Sequence, residues 1–131
     1  METSPRHQAR ERALSLMYEA ELKGNPPSEI LGALIVPPDP YTVVLLTAVE
    51  ERQAEIDELI NSAAIGWDLA RMAVVDRNVL RLAVAELLGS SEVPTAVILN
   101  EAVELASGYS TDDSGRFVNG VLSTLATRIR D

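Results

Sequence analysis

Arg6, His7, Gln8 and Arg10 stand within little more than one helical turn at the head of a chain whose formal net charge is −9. These side chains suit contact with phosphate and nucleotide. Guanidinium presents a planar fork of donors, Gln reaches a base edge or a sugar hydroxyl, and a neutral imidazole stacks or donates. The charge is distributed to match. Residues 1–23 carry Arg6, Arg10, Arg12 and Lys23 against Glu2, Glu11, Glu19 and Glu21, four cations against four acids, so the whole −9 lies after Lys23. Such a body repels nucleic acid from most of its surface and leaves the amino end as the acceptable approach. The competing reading of the same residues is a solvated helix start in which Glu11 offsets the arginines.

A second constellation, Gly108-Tyr109-Ser110-Thr111-Asp112-Asp113-Ser114-Gly115-Arg116-Phe117, feeds the start of a helix. A helix N-terminus offers unpaired amides to a polar ligand, Tyr109 can stack on an unpaired base, and Arg116 can meet a phosphate. The two aspartates argue against a bare phosphate there. In the purely structural reading Ser110 or Thr111 caps the helix, the aspartates meet its dipole and Phe117 is core.

Catalysis finds little support. His7 is the lone histidine and Lys23 the lone lysine, cysteine is absent, and no serine, histidine and acid trio or nucleophile elbow occurs. Asp112 and Asp113 point apart on a helix and make a poor acid and base pair. No calcium loop, helical histidine pair or other donor-dense spacing appears, so neither a metal nor a cofactor is expected.

The elements that must position these residues are helical. At 131 residues the chain has the size of one domain, able to bury roughly two-thirds of its unfolded surface. The longest strictly apolar run, about four residues around Val43–Leu46, is far short of a membrane span. The lack of cysteine suits a reducing cytoplasm. Ala9, Ala13, Leu16 and Ala20 predict a helix over 6–23 that Gly24 ends. Ser28 is placed to cap a short helix over 29–35. Asp39 as cap and Pro40 as first residue predict a long helix to about Ile65, with Tyr41, Val44, Leu45, Ala48, Val49, Ile56, Leu59, Ile60 and Ala63 on its apolar face. A single turn follows Asp68, and helices are predicted over 75–88, 94–107 and 111–129. Arg128 and Arg130 suit the negative end of the last. Gly120 falls inside that helix, where its cost of roughly 1 kcal/mol against Ala suggests a close helix crossing. This makes an all-α chain of about seven helices.

At this point the residues resemble the NusB family of transcription antitermination factors over nearly the whole chain. The likeness rests on Arg6-His7-Gln8-Ala9-Arg10-Glu11 with Ala13 to Glu19, on Val75 to Ala83 with Glu86-Leu87, on Val93-Pro94 with Asn100 to Ala106, and on Asp113-Ser114 with Arg116 to Leu122. The last two segments in that order are highly specific. The resemblance implies two three-helix bundles packed roughly at right angles in a single domain, with subdomains of about 1–66 and 67–131. It implies a non-enzymatic, cytoplasmic role. Proteins of this kind pair with the small ribosomal subunit protein NusE, bind the boxA element of ribosomal RNA leader transcripts, and join RNA polymerase and other Nus factors to suppress termination. Carried onto this chain, the RNA-facing positions are Arg6, His7, Gln8, Arg10, Tyr109, Asp113, Arg116 and Phe117, while Tyr18 and Asp76 match the NusE contact surface. Self-association through spare apolar surface stays open, since some members form dimers. A second reading, motivated by the net charge, His7 and Gln8, is a divergent protein-to-protein adaptor with little RNA binding of its own. An RNA methyltransferase carrying a NusB-like domain is a remote third, since this chain shows no catalytic domain.

Overall fold

The computed structural model describes residues 4–130, and among them the chain forms seven α-helices, one 3-10 turn and no strand. The first helix, α1 (Pro5–Lys23), begins at Ser4, whose hydroxyl accepts from the His7 amide at 3.1 Å. It ends at Gly24, whose φ of +68° is the left-handed conformation glycine adopts without steric cost. The short α2 (Pro27–Ala33) starts two residues earlier than Ser28 as cap would place it. Pro27 sits at its first position, and the Ser28 amide donates to Glu50 at 2.9 Å while its hydroxyl caps nothing.

The predicted long helix is two. α3 (Pro40–Glu51) starts at Asp39, which accepts from the Tyr41 amide at 2.7 Å, and α4 (Gln53–Ala63) follows after Arg52, whose φ of −117° and ψ of +21° break the helical path. The break lets α3 pack on α1 and α5 while α4 packs on α5 and α7. It also rotates the apolar stripe: Leu46 is fully buried and Val44 is exposed, the reverse of what one continuous helix predicts. Gly66 (φ +85°) turns the chain, and a 3-10 turn, Leu69–Arg71, leads into α5 (Val74–Gly89).

The central element is α5, which packs against α1, α3, α4, α6 (Thr95–Tyr109) and α7 (Asp112–Arg130). One continuous core joins Leu16, Leu46, Ile60, Leu80, Ile98 and Leu122. The helix α6 runs through Gly108 to Tyr109, past its expected end. The close crossing of α6 and α7 lies at Gly115, not at Gly120. A Cβ on Gly115 would collide with the Ser107 hydroxyl, whereas Gly120 has nothing within 4 Å of where its Cβ would stand. Arg130, expected to serve the negative end of its own helix, instead donates to the carbonyls of Glu86, Leu87, Ser90 and Val93. It thereby ties the end of α7 to the last turn of α5 and the loop that follows it. No described helix is long and apolar enough to cross a membrane.

Candidate nucleic-acid interface

The four residues at the head of α1 separate by helical phase. Gln8 is exposed and free to meet a ligand. Arg6 is half-exposed, its guanidinium 3.9 Å from the centroid of the Tyr41 ring and 3.8 Å from a Glu92 carboxylate oxygen. A cation over an aromatic face keeps its charge while losing freedom, so Arg6 is held in place yet open to solvent.

Arg10 is different. It is only 3% exposed and makes a two-pronged pair with Glu86, Nε and Nη2 each donating at 2.8 Å. Tyr41 donates to the same carboxylate at 2.6 Å and lies against Ser90. Arg10 therefore cannot reach a phosphate from this position, and its expected role as an RNA contact is corrected to one of structure. The reason is its phase: it lies beside Ala9, Ala13 and Met17 on the buried stripe of α1, facing a Glu86 that is itself buried and would otherwise be an unpaired charge. Burial works against the Arg10 charge, but the Glu86 hydrogen bond and charge outweigh it and hold the guanidinium firmly protonated.

His7 is also corrected. It does not stand free as a neutral, stacking imidazole. Its Nδ1 lies 2.5 Å from a Glu101 oxygen and its Nε2 3.7 Å from Glu11. The hydrogen bond to Glu101 lifts its pKa above the ordinary 6.5, burial pulls the other way, and the charges of Glu101, Glu11 and Glu104 add to the rise. The pair stitches α1 to α6.

The second constellation lies at the junction of α6 and α7. Thr111 caps α7 by accepting from the Ser114 amide at 3.1 Å. Tyr109 is exposed and donates to Glu11 at 3.0 Å, which raises its phenol pKa. That bond links this region to the α1 head, one turn beyond His7. Asp113 and Arg116 are both exposed and pair with each other, an arrangement of small net worth that a phosphate can displace. Phe117 is half-buried, and the edge of its ring meets Trp67 at 6.3 Å between centroids, with 69° between planes. Trp67, 53% exposed, was not singled out by sequence reasoning; a lone tryptophan beside Gly66 in a connecting segment was the available signal.

Two open cavities flank the start of α5. One, of about 350 Å³, is lined by Tyr18, Tyr109, Leu14, Ser15, Val75 and Asn78, bringing Tyr18 and Tyr109 together. The other, of about 320 Å³, holds Asp76 with Trp67, Met72, Asp113 and Phe117. Asp76 is 9% exposed and its Oδ1 has no hydrogen-bond partner. Tyr18 and Asp76, both matched to a partner surface, thus open into adjacent cavities on either side of Val75.

Most other cations are occupied elsewhere. Arg77 pairs with Glu21, Arg81 with Asp57, Lys23 with Glu19 and Arg52 with Glu55. The positive charge available to a polyanion on this side is therefore small and local.

The protein is of the all-helical class, with open, partly aromatic cavities beside the start of α5. The sequence model of the NusB family matches residues 7–127, and the chain belongs to the NusB family. The transcription antitermination protein NusB of Thermobifida fusca is 50% identical over 124 residues, covering 92% of this chain and 87% of the relative. That of Salinispora tropica is 49% identical over 128 residues, covering 92% and 94%. Among solved structures, a T. maritima NusB superposes with a TM-score of 0.88 at 33% identity, covering 100% of this chain and 96% of that one. A second was solved as antitermination factors NusB and NusE in complex with double-stranded RNA; it matches with a TM-score of 0.81 at 28% identity over 95% of this chain and 97% of that one. The chain is accordingly a transcription antitermination factor and not an enzyme.

Proposed function

We propose that this protein acts in the cytoplasm as an RNA-binding adaptor that pairs with NusE, binds boxA RNA of ribosomal RNA leader transcripts, and through that complex acts on RNA polymerase with other Nus factors. We read it as one domain with halves of about 1–66 and 67–131. The observation that carries the proposal is the Tyr109 to Glu11 bond, which makes the α1 head and the α7 entrance one continuous surface. On it Arg6 and Arg116 meet phosphates, Gln8 and Tyr109 meet sugar or base, and Phe117 with Trp67 offers an aromatic wall against which an unstacked base can pack. Asp113 orients Arg116, and His7 and Arg10 hold the scaffold beneath. Tyr18 and Asp76 face NusE.

The test is a titration of boxA RNA against the protein alone and against its complex with NusE, across a salt series. Affinity should rise with NusE, and Arg6→Ala and Arg116→Ala should each weaken binding and flatten the salt slope by roughly 0.7, the share of one single-strand phosphate contact. RNA affinity and slope unchanged in both variants would overturn the assignment.

The internal pairing of His7 and Arg10 favours a second reading, a protein-to-protein adaptor with little RNA contact. NusE capture without any boxA protection at physiological salt would support it. Light scattering with and without NusE tests whether a homodimer competes for the same surface.

A further inference from the structure

We propose that His7, Glu101 and Glu104 form a binding site for a divalent transition-metal ion of the zinc class. The site joins two helices: His7 lies in the first turns of α1, and Glu101 and Glu104 lie one turn apart on the facing side of α6. One ligand atom from each of the three lies within 4.8 Å of the others, with His7 Nδ1 and Glu101 Oε2 2.5 Å apart. Ligand atoms sharing a tetrahedral ion at about 2.0 Å stand roughly 3.3 Å from one another. One observed separation lies below that value and the others lie within 4.8 Å, so small side-chain rotations bring the three atoms to a shared ion.

The surroundings are those of a supported site. When Nδ1 releases its proton and ligates, Nε2–H points toward the Glu11 carboxylate at 3.7 Å, and Glu11 is itself held by the Tyr109 hydroxyl at 3.0 Å. A carboxylate behind a ligating imidazole fixes the tautomer and strengthens the ligand. Glu101 offers Oε2 to the ion while its Oε1 faces Arg10 at 3.6 Å. The charge balance points the same way. Glu11, Glu101 and Glu104 surround one imidazole, and the nearest other cation, Arg10, is already committed to Glu86. A dication offsets that excess where a protonated imidazole offsets only part of it. One imidazole with two carboxylates is a borderline donor set that suits zinc or manganese better than calcium or magnesium, with the remaining positions left to water.

The proposal does not depend on the RNA reading, because the metal alone is its probe. The full chain, without a histidine tag and stripped with chelator, is titrated with Zn²⁺ by calorimetry and with Co²⁺ by visible absorption. One ion per chain is expected, with the absorption bands of a low-symmetry four-coordinate site. His7→Arg keeps a cation facing Glu101 but has no lone pair to give, and should lower affinity by at least about tenfold. Glu104→Gln should do the same without risk to the fold, since Glu104 is exposed and makes no hydrogen bond or ion pair among the described residues. Glu92→Gln, outside the cluster, should leave binding unchanged. Absence of saturable binding, or equal binding by the parent and His7→Arg, would overturn the assignment.

Discussion

The α1 head and the α7 entrance share one surface, yet they are built on opposite plans. At the α1 head the buried polar groups are spent, Arg10 and Tyr41 on Glu86 and His7 on Glu101, while Arg6 and Gln8 stay open to solvent on the rim. At the α7 entrance Asp76 keeps a buried oxygen without a partner, Trp67 is half-exposed, and Asp113 and Arg116 hold only each other. A satisfied buried network fixes geometry, whereas exposed aromatic and weakly paired charged groups are free to exchange partners. The first region is thus mainly the frame of the surface, with Arg6 and Gln8 at its rim, and the second is its more open part.

The comparison breaks most sharply at Arg10. Arg10→Ala leaves Glu86 as a buried charge without its cation and should cost about 3–5 kcal/mol in denaturant unfolding. Replacing both partners, as Arg10→Met with Glu86→Leu, should cost distinctly less than that single change. If Arg10→Ala were instead neutral for stability and harmful only to RNA binding, Arg10 would belong to the open side. A further contrast lies within α7. Gly115→Leu should destabilise by roughly 1–3 kcal/mol through overpacking against Ser107 and Val103, whereas Gly120→Ala, with open space around it, should stabilise by up to about 1 kcal/mol. Thermal unfolding of the two variants reads both signs.

On the open side, Trp67→Ala should lose about 1–3 kcal/mol of RNA binding by the NusE complex, with a smaller change in unfolding midpoint than Arg10→Ala causes. An unchanged RNA affinity would confine Trp67 to its contact with Phe117.

The smallest effect concerns pH. Burial first, and then the hydrogen bond to Glu86, raises the Tyr41 phenol above its ordinary 10.0. A raised folded-state value means the folded chain holds that proton more tightly. The stability it contributes is therefore fully present below pH 10.0 and is lost as pH climbs through the folded value. Tyr41→Phe should lower stability at neutral pH by about 1 kcal/mol and flatten the alkaline decline, as followed by circular dichroism.

Much of the fold was legible because its signals are local. Gly24 ends α1, and Asp39 with Pro40 starts α3, where their backbone preferences require, while Gly66 turns the chain three residues beyond the end of α4. Arg52 escaped notice, since nothing about an arginine announces a helix break; the two halves of the helix change direction because they pack on different neighbours. The crossing assigned to Gly120 fell to Gly115 for a like reason, as both glycines are helical and only the partner helix distinguishes them.

The residues alone carried the all-helical class, all the helices but the division at Arg52, the family, and the gathering of cations at the amino end, because periodicity, caps and composition are properties of neighbouring residues. How those cations are used follows from packing between distant segments. Arg6 and Arg10 are one turn apart and chemically identical, and what separates them is a glutamate 76 residues further along the chain that lies under one and not the other. Burial and charge pairing depend on that distant neighbour, and no local pattern encodes it.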